Sequence, residues 1–249
     1  MSSVHPTAAA GFSAAADVYE RARPGYPEEA VAWIAERLGI GPGRDVLDLA
    51  AGTGKLTRQL VPLGARIVAV EPIDAMRAEL ERAVPSVEAL AGTAEAIPLP
   101  DGSMDAVTCA QAFHWFDADP ALCELHRVLR AGGGVGLVWN TRDESDPLQA
   151  EIGAITSALH RRRTAEHRWR KAVGGSGAFG EVDHATCTHQ QFLSRAELVD
   201  RVASVSFVAA LADGEREPVL ERVQAAVADV AEPILVPYIT EVFAFDRLD

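Results

Sequence analysis

The residues best suited to chemistry lie where an apolar run passes into a helical pattern, in Val46-Leu-Asp-Leu-Ala-Ala-Gly-Thr-Gly-Lys-Leu-Thr57. Gly52 and Gly54 allow a tight backbone turn and let a ligand lie against bare main chain at a helix N-terminus. Seventeen residues after Gly54, Glu71 ends the next apolar run, where a carboxylate can accept hydrogen bonds from both hydroxyls of a ribose. The combination predicts a nucleoside-binding site, whereas a glycine turn alone is also compatible with a fold that binds no ligand.

Two nucleoside cofactors compete for this spacing. The dinucleotide fingerprint G-x-G-x-x-G requires a third glycine for close helix–strand packing, and Thr57 stands at that position. A site for S-adenosylmethionine instead takes an acidic residue at the end of the strand before the glycines, and Asp48 stands there.

The elements that must position these residues follow a βαβ rhythm from about residue 44 onward. The segments 45–49, 66–70 and 104–110 are nearly continuous apolar runs, as expected of parallel strands covered on both faces. A helix is predicted over 27–38 from the spacing of Val31, Ile34, Ala35 and Leu38. The sequence therefore predicts an α/β fold with a mostly parallel sheet and helices on both faces.

The rhythm changes after Asn140, and we interpret residues 141–190 as an insertion between sheet elements. Ser194 followed by Glu197 is the pattern of a helix capping box. A further helix is predicted at about 215–230, and alternation at period two predicts a last strand over 234–245.

Composition limits the class of protein. The 249 residues are 48% hydrophobic and 24% charged, with a formal net charge of -13, which is typical of one soluble α/β domain and disfavours nucleic acid as a partner. Three widely spaced cysteines argue against a disulfide framework, and no metal site is expected. With no apolar run of the roughly 20 residues that a membrane span needs, and no signal-peptide pattern at the start, we expect a cytoplasmic protein without a membrane partner.

The segment Phe113-His114-Trp115-Phe116 follows the fourth strand, at the sheet edge where open α/β sheets bind ligands. His114 could take a proton from an acceptor at neutral pH, although a histidine among aromatic residues is also often structural. Trp115 and Phe116 are predicted to form an apolar wall, either of an acceptor pocket or of the core.

A basic run, 160–171, carries six Lys or Arg residues and one Glu in this acidic chain. Such a run could attract an anionic acceptor or RNA, or it could be a solvated helix face.

Taken together, LDLAAGTGKLT, AVEPIDAM, AGTAEAIPLPDGSMDAVTCAQAFHWFD and ELHRVLRAGG resemble the class I S-adenosylmethionine-dependent methyltransferases. With YERARPGYP ahead of them, they resemble the small-molecule branch that includes trans-aconitate methyltransferase-like proteins. The resemblance covers about residues 19–140 and implies a Rossmann-like, seven-stranded sheet whose last strand is antiparallel.

The resemblance also implies roles for individual residues. Ala50, Gly52, Gly54 and Gln111 would line the amino-acid half of S-adenosyl-L-methionine, and Glu71 would bind its ribose. The adenine would lie among Pro72, Met76, Thr93, Ala94 and Glu95. A lid that carries Tyr19 and Arg23 would fold over the cofactor.

From this resemblance we expect methyl transfer to a small organic acceptor by direct in-line displacement, with S-adenosyl-L-homocysteine as product. Two rivals remain open: an RNA methyltransferase that uses the basic run, and a non-methylating S-adenosylmethionine-binding protein of the same fold. We divide the chain into N-terminal helices and lid (1–43), cofactor-binding core (44–140), an insertion that caps the acceptor pocket (141–193) and the C-terminal part of the same domain (194–249).

Overall fold

The computed structural model describes residues 20, 22–157 and 168–249. Its centre is a sheet of seven strands in the order β3-β2-β1-β4-β5-β7-β6. The strands are β1 (Asp45–Leu49), β2 (Arg66–Val70), β3 (Glu88–Leu90), β4 (Met104–Ala110), β5 (Leu129–Arg142), β6 (Asp183–Leu193) and β7 (Ile234–Asp246). Strands β1 to β5 run parallel to one another, whereas β7 is antiparallel to both β5 and β6. This is the mostly parallel sheet with an antiparallel last strand that the sequence predicted.

Helices cover both faces of the sheet. They are α1 (Glu28–Leu38), α2 (Lys55–Leu60), α3 (Asp74–Ala83), α4 (Ala118–Val128), α5 (Pro147–Ser157), α6 (Arg168–Ser176), α7 (Arg195–Ala203), α8 (Ser206–Ala209) and α9 (Asp213–Val227). No helix within the described residues is long and apolar enough to cross a membrane.

Of the three apolar cores among the described residues, two lie on opposite faces of the central strands because successive residues of a strand point to opposite sides. In β1, Leu47 and Leu49 belong to the core that α4 covers, whereas Val46 belongs to the core that α1 covers. From α1, Ile34 and Leu38 reach the sheet, as their helical spacing predicted. Burial of both faces explains why the strand sequences are almost wholly apolar.

The predicted bounds of β1, β2 and β4 agree with the structure, and the last strand extends one residue beyond the predicted 234–245. The capping box also forms: the Glu197 N–H donates to Ser194 Oγ, and the Ser194 N–H donates to Glu197 Oε2.

The structure differs from the prediction in the segment 141–190. Strand β5 continues to Arg142, and Asp183–Leu193 forms the edge strand β6, paired with β7 along its whole length. This strand was missed because it lies at an edge, where one face is exposed and the sequence alternates polar with small residues instead of forming an apolar run. Between these strands the described residues form α5 and α6, and their role as a cap stays a prediction.

Most of the basic run lies outside the described residues, which resume at Arg168. Trp169 of α6 is buried and stacks on Trp139 of β5 with ring centroids 5.4 Å apart. The Arg170 guanidinium lies over the Phe243 ring, 4.4 Å from its centroid. The C-terminal end of the basic run is therefore anchored to the sheet through aromatic contacts.

Candidate functional site

The glycine loop turns sharply between β1 and α2. Ala50, Gly52 and Gly54 all have positive φ angles, of 53°, 60° and 83°. A Cβ added to Gly52 would meet no atom within 4 Å, so the main chain is open to a ligand there. At Gly54 a Cβ would lie 3.0 Å from Leu80 Cγ, which shows close packing of the loop on α3. Positive φ at Ala50, a residue with a side chain, is the kind of strain that clusters at functional sites.

Asp48, a residue of β1, stabilises this loop from the interior of the protein. It is fully buried, and it accepts hydrogen bonds from Thr57 Oγ1 at 2.5 Å and from Thr108 Oγ1 at 3.1 Å. Burial raises the pKa of the carboxyl to about 6. Thr57 stands where a dinucleotide fingerprint has its third glycine, and its hydroxyl is used here to support the loop. A glycine at that position would leave one Asp48 oxygen without this partner.

Glu71 lies directly after β2 and faces the glycine loop. The Gly52 N–H donates to its Oε2 and the Ile73 N–H to its Oε1, each at 2.9 Å. The side chain is 4% exposed, and burial raises its pKa to about 7. Because each carboxylate oxygen can accept two hydrogen bonds, both oxygens retain capacity for a ligand hydroxyl.

The residues expected around an adenine surround the end of β3 and the start of α3. Met76 and Ala94 are each 3% exposed, and Pro72 is half-buried. Glu95 accepts a hydrogen bond from the Asp117 N–H at 3.0 Å. The Thr93 hydroxyl is buried without a hydrogen-bond partner in the described structure. An unsatisfied buried hydroxyl beside apolar side chains fits a planar ring that carries a polar edge.

Beyond β4 the edge of the sheet opens into a small polar cleft. Gln111 has a φ of 60°, and its side-chain amide donates to the Asn140 carbonyl at 3.1 Å. The cleft is lined by Arg23, Pro24, Tyr26, Lys55, Gln111, Asn140 and Arg201. Of these, sequence reasoning identified Arg23 and Gln111 only.

Polar bonds fasten the N-terminal segment across this edge. Asn140 Nδ2 donates to the Gly25 carbonyl at 2.8 Å, and Gln59 exchanges two hydrogen bonds with the Tyr26 backbone. Arg23 donates from Nε and Nη2 to Ser204, so part of the guanidinium that we expected to bind the cofactor contacts the residue that follows α7 instead. Tyr19 lies outside the described residues.

His114 lies in a short 3-10 turn, Phe113–Trp115, after Gln111. Its Nδ1 accepts a hydrogen bond from Trp139 Nε1 at 3.5 Å, and its ring lies 4.8 Å from that of Trp115. Phe116 packs on Phe113 with ring centroids 5.2 Å apart. The predicted wall residues are thus half-buried at the margin of the core that α4 covers.

The residues that the sequence missed share one feature: they reach the cleft from elements far apart in the chain. Asn140 could have been found from the rule that carboxyl ends of parallel strands meet at one edge. Arg201 carried no such signal because it belongs to a helix after the insertion.

We expect the titration of Glu71 to be visible in the stability of the ligand-free protein. Its native pKa of about 7 exceeds the ordinary 4.5, so between those values the native state holds a proton that the unfolded chain has lost. The contribution of Glu71 to stability is full below pH 4.5 and is lost as the pH rises through 7. The free energy of unfolding of Glu71→Gln, relative to that of wild type, should therefore increase by about 2–3 kcal/mol as the pH rises from about 5 to about 9. Urea unfolding at a series of pH values measures this change.

Glu81→Gln is the matched control because Glu81 is exposed on α3. The difference in the free energy of unfolding between Glu81→Gln and wild type should not change with pH. A pH-independent difference for Glu71→Gln would contradict the burial argument.

A family profile described as a methyltransferase domain matches residues 47–136, from β1 into β5. An uncharacterized methyltransferase of Mycobacterium tuberculosis is 41% identical over 234 residues, which covers 92% of each chain. An uncharacterized methyltransferase-like protein of Schizosaccharomyces pombe is 35% identical over 219 residues, covering 87% of this chain and 84% of that protein.

The fold is also similar to that of a solved structure, assigned as a type II methyltransferase from Anaeromyxobacter dehalogenans. The TM-score is 0.67 at 25% identity, and the match covers 89% of this chain and 97% of that one. The glycine loop, the acidic residue after β2 and the strand order thus occur in a chain whose relatives are methyltransferases over nearly their whole length. The chain belongs to this family and is a class I S-adenosylmethionine-dependent methyltransferase.

Proposed function

We propose that the chain binds S-adenosylmethionine across the carboxyl ends of β1, β2 and β4 and methylates a small organic molecule held in the neighbouring cleft. The observation that carries the proposal is the Glu71 carboxylate, which lies beside the open main chain of Gly52 and keeps acceptor capacity on both oxygens.

The residues present fit the cofactor. Glu71 would accept hydrogen bonds from the ribose hydroxyls, and the unsatisfied Thr93 hydroxyl would meet the polar edge of the adenine beside Met76. Ala50 and Gly52 would leave room for the amino-acid half. When bound, S-adenosylmethionine supplies a methyl group on a positively charged sulfur, which an aligned nucleophile can displace. The protein then has to align the acceptor and exclude water, and the N-terminal segment is suited to the second task.

A small acceptor fits better than RNA. The N-terminal segment lines the cleft and is bound there by side chains of β5 and α2 and by Ser204, which follows α7. The net charge of -13 repels a phosphate backbone. The segment after β4 reads Gln-Ala-Phe-His-Trp and lacks an Asn-Pro-Pro-Tyr-like tetrapeptide of nucleic-acid methyltransferases.

Removal of the Glu71 carboxylate should weaken cofactor binding. Hydrogen bonds to a charged group are each worth about 1.5–3 kcal/mol, so Glu71→Ala should raise the dissociation constant for S-adenosylmethionine by roughly 10- to 100-fold or more. Isothermal titration calorimetry of the variant, with Glu81→Ala as control, measures the change. Equal affinities for wild type and Glu71→Ala would refute this assignment.

Methyl transfer itself should depend on a metabolite and not on nucleic acid. We expect label from methyl-labelled S-adenosylmethionine to appear in at least one compound of a small-molecule panel, and none in total RNA at equal protein concentration. Labelling of RNA alone would favour the nucleic-acid function. Cofactor binding without labelling of either class would favour the non-methylating one.

The contact between His114 and Trp139 bears on how a proton leaves the acceptor. A neutral imidazole carries one proton, and an Nδ1 that accepts from Trp139 leaves that proton on Nε2. In this tautomer the ring offers a donor at Nε2, so acceptance of a proton requires loss of the Trp139 bond. The geometry therefore favours a positioning role for His114 over the general-base role predicted from the sequence.

Two variants distinguish these roles. Asparagine keeps an acceptor oxygen near the position of Nδ1 but cannot take a proton at neutral pH, so His114→Asn should retain kcat within about threefold, whereas His114→Ala should lose roughly 10-fold. Steady-state kinetics on the labelled acceptor provides the measurement. A loss of about 100-fold or more in both variants would instead identify His114 as the proton acceptor.

A further inference from the structure

The cleft beside Gln111 has an excess of positive charge. Arg23, Lys55 and Arg201 line it in a chain whose net charge is -13. The charge of Lys55 is compensated by Glu20. The Lys55 Nζ donates to the Glu20 backbone carbonyl at 2.7 Å, and it lies 3.5 Å from a carboxylate oxygen of the same residue. Arg23 donates hydrogen bonds to the hydroxyl and the backbone carbonyl of Ser204.

Arg201 is the most buried of these cations, with 6% exposure. Its Nε donates to the Tyr238 hydroxyl at 3.1 Å, and its guanidinium lies 5.7 Å from the centroid of that ring. The same hydroxyl donates to Gln191 at 3.2 Å, so it is a neutral partner that is fully engaged. Within the described residues no carboxylate lies at ion-pair distance from Arg201.

Arg142 adds a second guanidinium at the same place. It ends β5 directly opposite Tyr238 of β7, two residues beyond Asn140 and therefore on the same face. Burial, and next the positive charge of Arg201, lower the pKa of Arg142. In the described part of the chain, Arg142 has neither an ion pair nor a hydrogen bond from its side chain.

This arrangement contrasts with that of three other arginines of the protein. Arg37, Arg127 and Arg130 each contact two carboxylates, although all three are more exposed than Arg201. Charged groups taken out of water are normally paired, because burial of two like charges without a counterion is costly. Arg142 and Arg201 lie together without an ion pair to any described carboxylate, and the more distant charge of Glu144 opposes the effect of Arg201 on Arg142. Arg201 itself lines the open cleft.

We propose that Arg142 and Arg201 form a binding site for an oxyanion, a carboxylate or a phosphate, of the methyl acceptor. The inference rests on the proposed function, since it names the class of molecule that the cleft takes. The planar fork of each guanidinium matches the spacing of two oxygens, and Asn140 and Gln111 supply the neighbouring polar groups.

The oxyanion serves as a handle and is not the group that receives the methyl. A carboxylate bound to two guanidinium groups is less basic than a free one, and a less basic oxygen is a weaker nucleophile. The methyl-accepting atom is therefore a different atom of the same molecule, nearer to Gln111 and the glycine loop.

Binding of matched probes to the protein saturated with S-adenosylhomocysteine tests the site. Succinate, glycerol 3-phosphate and the neutral succinamide are titrated by calorimetry into wild type, Arg142→Gln, Arg142→Lys and the control Arg222→Gln, which replaces an exposed arginine of α9. We expect at least one anion to bind roughly 10-fold or more tightly than the amide. Arg142→Gln should remove that preference, Arg142→Lys should keep part of it, and Arg222→Gln should leave it unchanged. The preferred anion identifies the handle as a carboxylate or a phosphate.

Three results would overturn the site: equal binding of anions and amide, an anion preference that survives Arg142→Gln, or a weaker affinity for S-adenosylhomocysteine in Arg142→Gln, which would assign the pair to the cofactor.

Any acid that accepts the methyl label should keep it through mild alkaline hydrolysis, because a methyl ester of the bound carboxylate would be hydrolysed and would lose it. If S-adenosylhomocysteine does not bind at all, the proposed function fails. The anion preference can then still be measured on the cofactor-free protein.

Discussion

The buried carboxylate of Glu71 is the interaction on which the site depends. It joins the glycine loop after β1 to the chain that leaves β2, through the N–H groups of Gly52 and Ile73. These two donors compensate part of the cost of burying the charge, and they fix the distance between the two loops. Asp48 does the same beneath the loop, where the hydroxyls of Thr57 and Thr108 hold it. The arrangement requires β1 to lie between β2 and β4, which is the strand order that the parallel sheet provides.

The N-terminal segment, which covers the site, is attached in a different way from the strands that form the base of the site. The base is built on strands whose side chains fill apolar cores. The N-terminal segment is attached by hydrogen bonds that Asn140 and Gln59 donate and Ser204 accepts, and by ion pairs of Glu20 with Lys55 and Arg58. A hydrogen bond that can be exchanged for one with water contributes only about 1 kcal/mol net. Each of these polar bonds can be exchanged for a bond with water while the base stays fixed, which suits a site that must admit and release both a cofactor and an acceptor.

The net charge of the chain does not indicate where charged side chains gather in the fold. The basic run of the sequence ends in α6, where Arg170 packs on Phe243 at the face that α4 covers. The cationic cleft is lined instead by Arg23, Lys55 and Arg201 from three separate parts of the chain, and Arg142 lies next to Arg201. A run of like charges along the sequence usually spreads over a solvated surface, whereas charges gathered by the fold are held at short range and partly desolvated, where they act more strongly on a ligand.

The sequence by itself determined the parts of the protein whose physical cause is local. Apolar runs covered on both faces predicted β1, β2 and β4, and glycines followed by an acidic residue predicted the cofactor side, because backbone turning and strand burial leave their mark on neighbouring residues. Strand β6 was not predicted because an edge strand with one exposed face keeps a polar composition. Only the tertiary structure decided that Asn140 and Arg201 share a cleft, that Arg142 lies next to Arg201, and that His114 faces Trp139. Those contacts follow from strand order and from helix packing across long stretches of chain, and no local pattern encodes them.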